Sequence, residues 1–516
     1  MKTDLKSGNA ISVSDTALLY VLTLLSIAVF LLENWRLTEQ IDDAYISFQY
    51  ARNLVAGHGL VFNIGEPVEG YTNLSWTLLI ALGMRLGFDA PMVCHVLSLF
   101  SGAILLALTA RYTMLLVPSE RRWVAGLAPW LLMAANSFVG WTGAGLETLL
   151  FAALITAAFC SLLKDELYWA VFWCALATIT RPEGVLYSAV ILGCDWLVKS
   201  WPHGVLRPYR LLKMTGPALI YLLCLLSYTA WRVHYYSEYL PNTFYAKAGG
   251  IPLANGVKYV WNFVIDGSGF LLVPAFVGAV MQKSYRIAFT AVVMTLFYVI
   301  AIGGDAFHLS RFLLPVLPLI IGGALTAIGV FFNINVWYGA SLATILPLSV
   351  GWSLWGPPFA PEYTVTRQNF PAMTKRVSAQ NHAAFGGVAA AQKLSSDISS
   401  ISPPVKMVAT IAIGQVAFFS NDIYVLDLVG LVDKHIARSK KHVEGGGVLM
   451  LPGHQRTDSD YVLDRRPDVI VIPKKGTPLP FNLPAIFDLW QNQRLEQLYE
   501  WDNKKQFYVL KSQRAG

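Results

Sequence analysis

Two adjacent carboxylates, Asp42 and Asp43, follow an apolar run that is long enough to cross a bilayer. A carboxylate within hydrogen-bond reach of a hydroxyl group can accept its proton during nucleophilic attack. Adjacent negative charges in a partly desolvated segment raise the pKa of one of the two groups, which makes it a stronger base near neutral pH. The alternative is that the acids cap a helix predicted to start near Tyr45, a common role for Asp. One acid can cap while the other reacts, so the pair predicts a proton-accepting site just outside a membrane helix.

The elements around the acid pair are those of an integral membrane protein. Of 516 residues, 55% are hydrophobic and 14% are charged, whereas a soluble protein carries about 25% charged residues. The net charge of +7 comes from basic residues in short turns between apolar runs, which indicates orientation in the membrane rather than nucleic-acid binding. The five cysteines all lie in apolar runs, so we interpret them as small buried hydrophobic residues.

Apolar runs of about 20 residues predict about eleven transmembrane helices. They lie at 16–33, 92–117, 123–141, 145–163, 167–181, 184–199, 215–233, 268–282, 287–303, 312–333 and 336–355. Segment 74–87 is shorter, and we predict that it is a helix in the membrane interface, capped by Thr72 or Asn73. With this assignment and a cytoplasmic N-terminus, the basic turns fall inside and the acid pair falls outside. The first apolar run lacks a small-residue cleavage site, so we predict a retained helix rather than a signal peptide.

The character of the chain changes after Trp355. Pro357 and Pro358 end the last apolar helix, because Pro cannot continue it. Short apolar runs then predict strands, and amphipathic stretches predict helices. The predicted strands are 407–413, 423–428, 469–472 and 507–510, and the predicted helical stretches are 367–395 and 484–500. The predicted fold class is a polytopic α-helical membrane protein with a C-terminal soluble α/β domain. Residues 1–355 form its transmembrane domain, with a first external loop at 34–73, and residues 356–516 form the extracytoplasmic α/β domain.

The residues around the acid pair resemble the first external loop of GT-C glycosyltransferases, multi-spanning enzymes that use polyprenyl-phosphate sugars. The similarity rests on Asp42-Asp43-Ala44-Tyr45-Ile46-Ser47-Phe48, Tyr50-Ala51-Arg52-Asn53-Leu54 and Glu69-Gly70-Tyr71-Thr72-Asn73. The branch that it resembles most includes mycobacterial terminal arabinofuranosyltransferases and the pilin arabinosyltransferases of some Gram-negative bacteria. Further similarity to family motifs is found at 145–184, 241–247 and 303–318, and in the C-terminal stretches 425–437 and 461–468.

This resemblance implies a role for each polar group. It makes Asp42 the preferred base, with Asp43 as its support or as a metal ligand. Polar and charged groups on the outer face would bind the phosphate and sugar of the donor, since Arg forks onto phosphate oxygens and Lys acts as a point charge. These candidates are Arg52, His58, Glu69, Tyr71, Asn73, Glu147, Arg181, Asn242, Tyr245, Lys247, Asp305, His308 and Arg311.

Structural explanations stand beside these roles. An Arg at a helix end commonly extends its charged head toward water, and Glu183 is a ready partner for Arg181. Glu147 can be a helix-start carboxylate favoured by the helix dipole. A lone His more often makes a structural hydrogen bond than a ligand contact. A divalent cation shared by Asp42, Asp43 and Asp305 is left open, because no spacing of ligands requires one.

Taken together, the residues and the resemblance predict an inverting glycosyltransferase of the bacterial inner membrane, with its active site and C-terminal domain on the extracytoplasmic side. The expected donor is a polyprenyl-phosphate sugar, with arabinofuranose as the expected sugar and a glycan or pilin as the acceptor. The rival class is a polytopic lipid or glycan transporter or flippase, which should show internal repeats and interrupted helices. A second rival is a glycan-binding or assembly protein, in which the acid pair has no role.

Overall fold

The computed structural model describes residues 9–35, 40–200, 208–247, 253–266, 268–305, 309–355, 388–420, 422–439, 455–479 and 483–514. The chain divides into two units, each treated separately below. The helical unit comprises Met1–Thr38, His95–Tyr228 and Leu253–Phe370. The sheet unit comprises Glu39–Cys94, Thr229–Pro252 and Pro371–Gly516. The segment that carries the acid pair, Glu39–Cys94, therefore groups with the C-terminal residues. Residues 356–387 lie outside the described residues, so the predicted boundary at 355 stays a prediction.

The elements follow one another along the chain as a long series of helices and then a mixed segment. The helices up to Trp355 are α1 (Asn9–Asn34), α2 (Asp42–Val55), α3 (Leu74–Arg85), α4 (Ala90–Leu116), α5 (Ala128–Ala134), α6 (Asn136–Thr142), α7 (Thr148–Leu163), α8 (Leu167–Thr180), α9 (Gly184–Ser200), α10 (Pro208–Tyr236), α11 (Asn242–Lys247), α12 (Leu253–Ile265), α13 (Leu272–Met281), α14 (Arg286–Ala301), α15 (Leu317–Ile334), α16 (Val336–Ala343) and α17 (Ile345–Trp355). Short 3-10 helices lie at Ser119–Leu127, Ser268–Leu271, Lys283–Tyr285 and Arg311–Val316. The later helices are α18 (Val388–Ser399), α19 (Ile413–Phe419), α20 (Lys434–Ala437), α21 (Ser459–Asp464), α22 (Pro484–Gln491), α23 (Arg494–Leu498) and α24 (Lys511–Arg514), and the strands are β1 (Met407–Thr410), β2 (Tyr424–Asp427), β3 (Val469–Val471), β4 (Tyr499–Asp502) and β5 (Phe507–Leu510).

Several helices are long and apolar enough to cross a membrane. Within the described residues there are five such helices: Asp15–Asn34, Ala90–Leu116, Thr215–Tyr236, Lys283–Ala301 and Arg311–Ile334. Two more spans result if each bent helix pair is counted as one, and these pairs are Ser119–Ala134 with Asn136–Thr142, bent by 64°, and Leu253–Ile265 with Ser268–Met281, bent by 82°. The chain is thus a multi-pass membrane protein, but the predicted count of about eleven spans is not confirmed.

The predicted spans at 123–141 and 336–355 are each interrupted. Ala135 separates α5 from α6 with an extended backbone, at φ −72° and ψ 126°. Thr344 follows the end of α16, and a new helix, α17, starts at Ile345. An apolar run reports that a segment is buried in lipid or protein, but it does not report where the helix bends. The prediction that these two segments are apolar helices is therefore correct, and the prediction that each is one continuous helix is wrong.

Close backbone contact joins two membrane helices of the helical unit. Gly278 on α13 faces Gly323 on α15, and a Cβ atom at Gly278 would overlap the carbonyl oxygen of Gly323. Small residues let membrane helices approach in this way, because lipid gives no hydrophobic drive for helix association and van der Waals contact must supply it. Residues 317–329 of α15 are all buried, including Leu319, Ile320 and Leu325. This helix is the centre of the unit.

In the sheet unit, helix α3 matches the predicted short helix at 74–87. Its 12 residues span about 18 Å, which is less than the roughly 30 Å of a bilayer core. Asn73 precedes the helix as its N-cap residue, but its side chain makes no capping hydrogen bond. Location in the membrane interface stays a prediction for this helix.

The five strands of the sheet unit form one sheet in the order β2-β1-β3-β5-β4. Strand β1 pairs in parallel with β2 and β3, while β5 pairs antiparallel with β3 and β4. All four predicted strands are present. Strand β4 was missed, because it lies at the end of the stretch 484–500 that was predicted to be helical and carries only a short, half-buried run, Tyr499-Glu500-Trp501. The sheet core contains Ala409, Leu426, Ile470, Leu463 and Ile486, all fully buried.

Helix α2 packs against α19 within the sheet unit. Tyr45 and Phe48 are buried on α2, and the Tyr45 ring lies 5.4 Å from the ring of Phe418 and 5.4 Å from that of Phe419. Gly414, in the first turn of α19, approaches the α2 backbone so closely that a Cβ atom there would overlap the carbonyl oxygen of Asp42. This contact places the acid pair beside the C-terminal sheet.

Candidate active site

Helix α2 begins with the acid pair. Ile41 is the N-cap residue, and Asp42 and Asp43 occupy the first turn, where negative charge complements the helix dipole. The alternative that an acid caps a helix starting near Tyr45 is therefore wrong, because both acids lie inside the helix. The Asp42 carboxylate accepts instead from two backbone N–H groups of α19, with Oδ1 2.8 Å from Gln415 N and Oδ2 3.2 Å from Gly414 N. Asp42 caps the start of a helix more than 370 residues away in the sequence, which no local pattern could reveal.

The surroundings of Asp42 make it titrate near neutrality. Burial raises the pKa of Asp42 from 3.8 to about 7, and the negative charges of Asp43 and Asp427 act in the same direction. The hydrogen bonds from Gln415 and Gly414 oppose this rise without cancelling it. A base is most effective when its pKa lies near the working pH. Asp43 is partly exposed and has no hydrogen-bond or ion-pair partner among the described residues.

A third acid lies at the carboxyl end of β2. Asp427 is fully buried and accepts from the N–H groups of Val429 and Val432, both at 2.8 Å. Burial raises the pKa of Asp427 to about 7. Carboxyl ends of parallel strands are the usual location of sites in α/β sheets. Across the residues that the structure describes, no three His, Cys, Asp or Glu side chains are grouped to hold a metal ion, so the divalent cation remains open.

The buried acids predict a specific dependence of stability on pH. The folded-state pKa of Asp427 lies above its ordinary value of 3.8, so the folded protein binds this proton more tightly than the unfolded chain. Its contribution to stability is fully present below about pH 4 and is lost as pH rises through about 7, by at most about 4 kcal/mol. We expect the thermal midpoint in detergent to fall over this range, and Asp427→Asn to reduce that slope. An unchanged slope in this variant would contradict the assignment, whatever its absolute stability.

The loop after α2 holds three predicted donor-binding residues, all buried and all in contact with other residues of the sheet unit. Glu69 forms an ion pair with Arg232, with Oε2 2.5 Å from Nε. The Tyr71 hydroxyl lies 3.1 Å from that of Tyr236, and the Asn73 amide donates to Ser47 at 3.1 Å. These contacts stabilise the loop. Binding of the donor by the three side chains stays a prediction.

Two other predicted residues of the sheet unit differ in exposure. The Arg52 guanidinium donates to the carbonyl oxygens of Phe418 and Ala417, at the end of α19. His58 is exposed in the turn that ends α2, where the following residue, Gly59, adopts φ +87°. Helix α2 ends at Val55, and Gly57, the residue after its C-cap Ala56, also adopts φ +87°, a conformation that helix ends often need.

Helix α11 carries the predicted residues of the Pro-Asn-Thr-Phe-Tyr-Ala-Lys motif. The Asn242 amide lies within hydrogen-bond distance of the carbonyl oxygens of Gly430 (2.8 Å), Leu431 (3.2 Å) and Asp433 (3.1 Å). The guanidinium of Arg438 lies 4.1 Å from the centre of the Tyr245 ring, and Lys247 is exposed. Asn242 therefore holds the loop after β2 in place, and Tyr245 packs against Arg438 beside it.

The helical unit holds a separate cluster of buried charges. Arg181 Nη1 lies 2.6 Å from Glu147 Oε1, and Arg181 Nη2 lies 3.0 Å from Glu183 Oε1. Arg311 Nε lies 2.8 Å from Asp305 Oδ2. The expected pairing of Arg181 with Glu183 is confirmed. Among the residues that the structure describes, two cations thus pair with three carboxylates in this cluster. Binding of the donor phosphate by Arg181 or Arg311 stays a prediction.

Aromatic rings frame this cluster. The guanidinium groups of Arg181 and Arg311 lie 5.2 Å and 5.3 Å from the centre of the Phe312 ring. Beside them lies a cavity of about 10 Å³, lined partly by Phe151, Tyr187 and Tyr298, which is room for about one water molecule. His308, also predicted to bind the donor, lies outside the described residues.

Sequence reasoning also missed Arg232 and Arg438 in the sheet unit. Arg232 is the partner of Glu69, and its position within a predicted span was a usable signal, because charges in membrane segments are usually paired or functional. Arg438 contacts both Tyr245 and Asn242. It lies in the basic stretch His435-Ile436-Ala437-Arg438, which has no pattern that distinguishes it from an ordinary surface.

Comparisons with known structures define the class of the fold. The chain is similar to ArnT from Cupriavidus metallidurans bound to undecaprenyl phosphate, with a TM-score of 0.50 and 11% identity over 80% of this chain and 85% of that one. It is similar to the apo state of the same protein with a TM-score of 0.52 and 12% identity over 81% and 86% of the two chains. The chain therefore has a GT-C fold with a C-terminal sheet domain, which confirms the predicted fold class.

A curated relative is the terminal β-(1→2)-arabinofuranosyltransferase of Mycobacterium tuberculosis. It is 27% identical over 381 residues, which cover 62% of this chain and 59% of the relative. Residues 379–511 also match a family model described as a domain of unknown function, DUF8728. The resemblance inferred from the first external loop is thus confirmed, and the match extends over somewhat more than half of the relative's length.

Proposed function

We propose that this protein is a membrane glycosyltransferase that moves a sugar from a polyprenyl-phosphate donor to an extracytoplasmic glycan. The observation that carries the proposal is the Asp42–Asp43 pair at the start of α2, in which burial raises the pKa of Asp42 to about 7. A carboxylate of this kind is suited to accept a proton from an acceptor hydroxyl near neutral pH. The name of the mycobacterial relative supports the same class of reaction.

The proposed donor and sugar rest on the relatives. The ArnT structure contains undecaprenyl phosphate, which supports a polyprenyl-phosphate donor. The relative from Mycobacterium tuberculosis is named for arabinofuranose, and we propose arabinofuranose as the transferred sugar. A cell-envelope glycan is the proposed acceptor, and a pilin is the alternative to be tested beside it.

The proposed reaction is a single displacement at the anomeric carbon. Asp42 accepts the proton of the acceptor hydroxyl while the hydroxyl oxygen forms a bond to the anomeric carbon. The bond between this carbon and the phosphate oxygen of the donor breaks at the same time. Polyprenyl phosphate leaves with the bonding electron pair, and attack from the opposite face inverts the anomeric carbon. Asp43 keeps a second negative charge beside the base, which raises the proton affinity of Asp42.

The orientation in the membrane follows from the distribution of charge. Basic turns such as 121–122 and 283–286 are proposed to face the cytoplasm, because cytoplasmic turns are enriched in Lys and Arg. The acid pair and the C-terminal sheet would then face outward, across the bacterial inner membrane. A reporter fused after residue 516 tests this, since alkaline phosphatase is active only outside the cytoplasm.

The test of function is turnover of a defined donor. Purified protein in detergent is incubated with a panel of polyprenyl-phosphate sugars, with and without glycan and pilin acceptors, and release of polyprenyl phosphate is measured. We expect acceptor-dependent release with the arabinofuranosyl donor, and none from the variant that carries both Asp42→Ala and Asp43→Ala. Full activity of a correctly inserted double variant would refute the role of the acids. Binding or vesicle translocation of the lipid without turnover would instead favour the transporter.

A further inference from the structure

Helix α19 is held at both ends by side chains of α2. At its start, Asp42 accepts from the N–H groups of Gly414 and Gln415. At its end, Arg52 Nη1 donates to Phe418 O at 2.7 Å, and Arg52 Nη2 donates to Ala417 O at 3.0 Å. Two side chains of opposite charge on one helix therefore satisfy backbone groups at both ends of the other.

Between these ends the two helices are in direct contact. The Phe418 ring lies against Tyr45 and Phe48, with centroids 5.4 Å and 5.8 Å apart, and the Arg52 guanidinium lies 5.4 Å from the centre of the Phe418 ring. Gly414 has no side chain to separate the helices. A shift of α19 at either end therefore moves the N–H groups that orient the Asp42 carboxylate.

We infer that α19 and Arg52 together position the carboxylate of Asp42, so that Arg52 is a positioning residue and not a ligand of the donor phosphate. This inference rests on the proposed function. Both terminal nitrogens of Arg52 are already bound to helix carbonyls. The two N–H groups on Asp42 fix its plane and leave lone pairs for an acceptor hydroxyl. The titratable groups that face Asp42 are Asp43 and Tyr45 on its own helix and Asp427 on β2.

Kinetics of Arg52 variants separate the two roles. If Arg52 positions Asp42, Arg52→Gln lowers kcat by about 10–100-fold, leaves the KM for the donor nearly unchanged and moves the midpoint of the pH–rate profile. Arg52→Lys restores only part of the rate, because an ammonium group cannot bridge two carbonyls as a guanidinium does. A raised donor KM with wild-type kcat and an unmoved midpoint would overturn the inference and assign Arg52 to the phosphate.

Hydrogen exchange of the full-length protein supplies a readout that needs no turnover. We expect peptides that cover residues 413–419 to exchange faster in Arg52→Gln, in Asp42→Asn and in Gly414→Ala than in the wild type. The control is Arg85→Gln, which removes an exposed Arg from the last turn of α3 and should leave this segment unchanged. Unchanged exchange of residues 413–419 in Arg52→Gln would contradict the inference. If residues 413–419 exchange faster in Arg52→Gln but the wild-type protein turns over no donor, the contact between Arg52 and α19 stands and the proposed function is wrong.

Discussion

Asp42→Asn is expected to lower kcat/KM for sugar transfer by about 10²–10⁴-fold, the usual contribution of a positioned general base. The amide keeps the size of the carboxyl group but cannot accept a proton. It also turns an NH₂ group toward one of the two N–H donors of α19, at Gly414 or Gln415. The measurement is acceptor-dependent release of polyprenyl phosphate. The matched control is Asp460→Asn, which changes an exposed acid of the same unit and should leave the rate unchanged.

The neighbouring acid should behave differently. The negative charge of Asp43 raises the pKa of Asp42, so Asp43→Asn should shift the acid limb of the pH–rate profile to lower pH. Wild-type activity should fall as pH drops below about 7, because Asp42 becomes protonated. We expect Asp43→Asn to retain measurable transfer. Complete loss in Asp43→Asn with activity preserved in Asp42→Asn would reverse the two roles.

Arg181→Met is expected to cause the largest loss of stability in the helical unit, about 3–5 kcal/mol. It leaves Glu147 and Glu183 buried without the cation that both contact at 3.0 Å or less. Removing one member of a buried ion group exposes the full desolvation cost of the remaining charges. The thermal midpoint of the detergent-solubilised protein measures this effect. Adding Glu147→Gln and Glu183→Gln to the same chain should restore part of the lost stability.

Arg494→Met provides a matched control for this prediction. Arg494 also contacts two carboxylates, Asp464 at 2.6 Å and Asp460 at 3.8 Å, but all three side chains are well exposed. Exposed ion pairs contribute about 1 kcal/mol or less, so this variant should melt close to the wild type. Equal losses of thermal stability in the two Arg variants would show that burial does not determine how much the Arg181 cluster contributes to stability.

Features with a local signature were predictable from the sequence. The apolar runs indicated a multi-pass membrane protein, and the turn residues around 74–87 and 407–428 bounded a short helix and two strands that the structure contains. The acid pair was found because two adjacent carboxylates shortly after an apolar run are unusual. Each of these signals lies within a window of about 20 residues, which is the range over which periodicity and turn chemistry act.

Features that depend on distant partners were not predictable. Glu69 was expected to contact the donor, but its carboxylate is bound to Arg232, 163 residues further along the chain. Asn242 was expected at the donor phosphate, yet it holds the loop after β2 through contacts 188 to 191 residues away. A single sequence gives residue types, and the choice of partner for a buried charge is made by tertiary packing. Whether these side chains also touch the donor stays a prediction.

The hydrogen bonds that orient Asp42 join residues 372 and 373 positions apart. During synthesis α2 leaves the ribosome early, whereas α19 emerges about 370 residues later. Contacts that close so long a loop form late in folding. A nascent or prematurely terminated chain that stops before residue 413 therefore carries the acid pair without the helix that holds it.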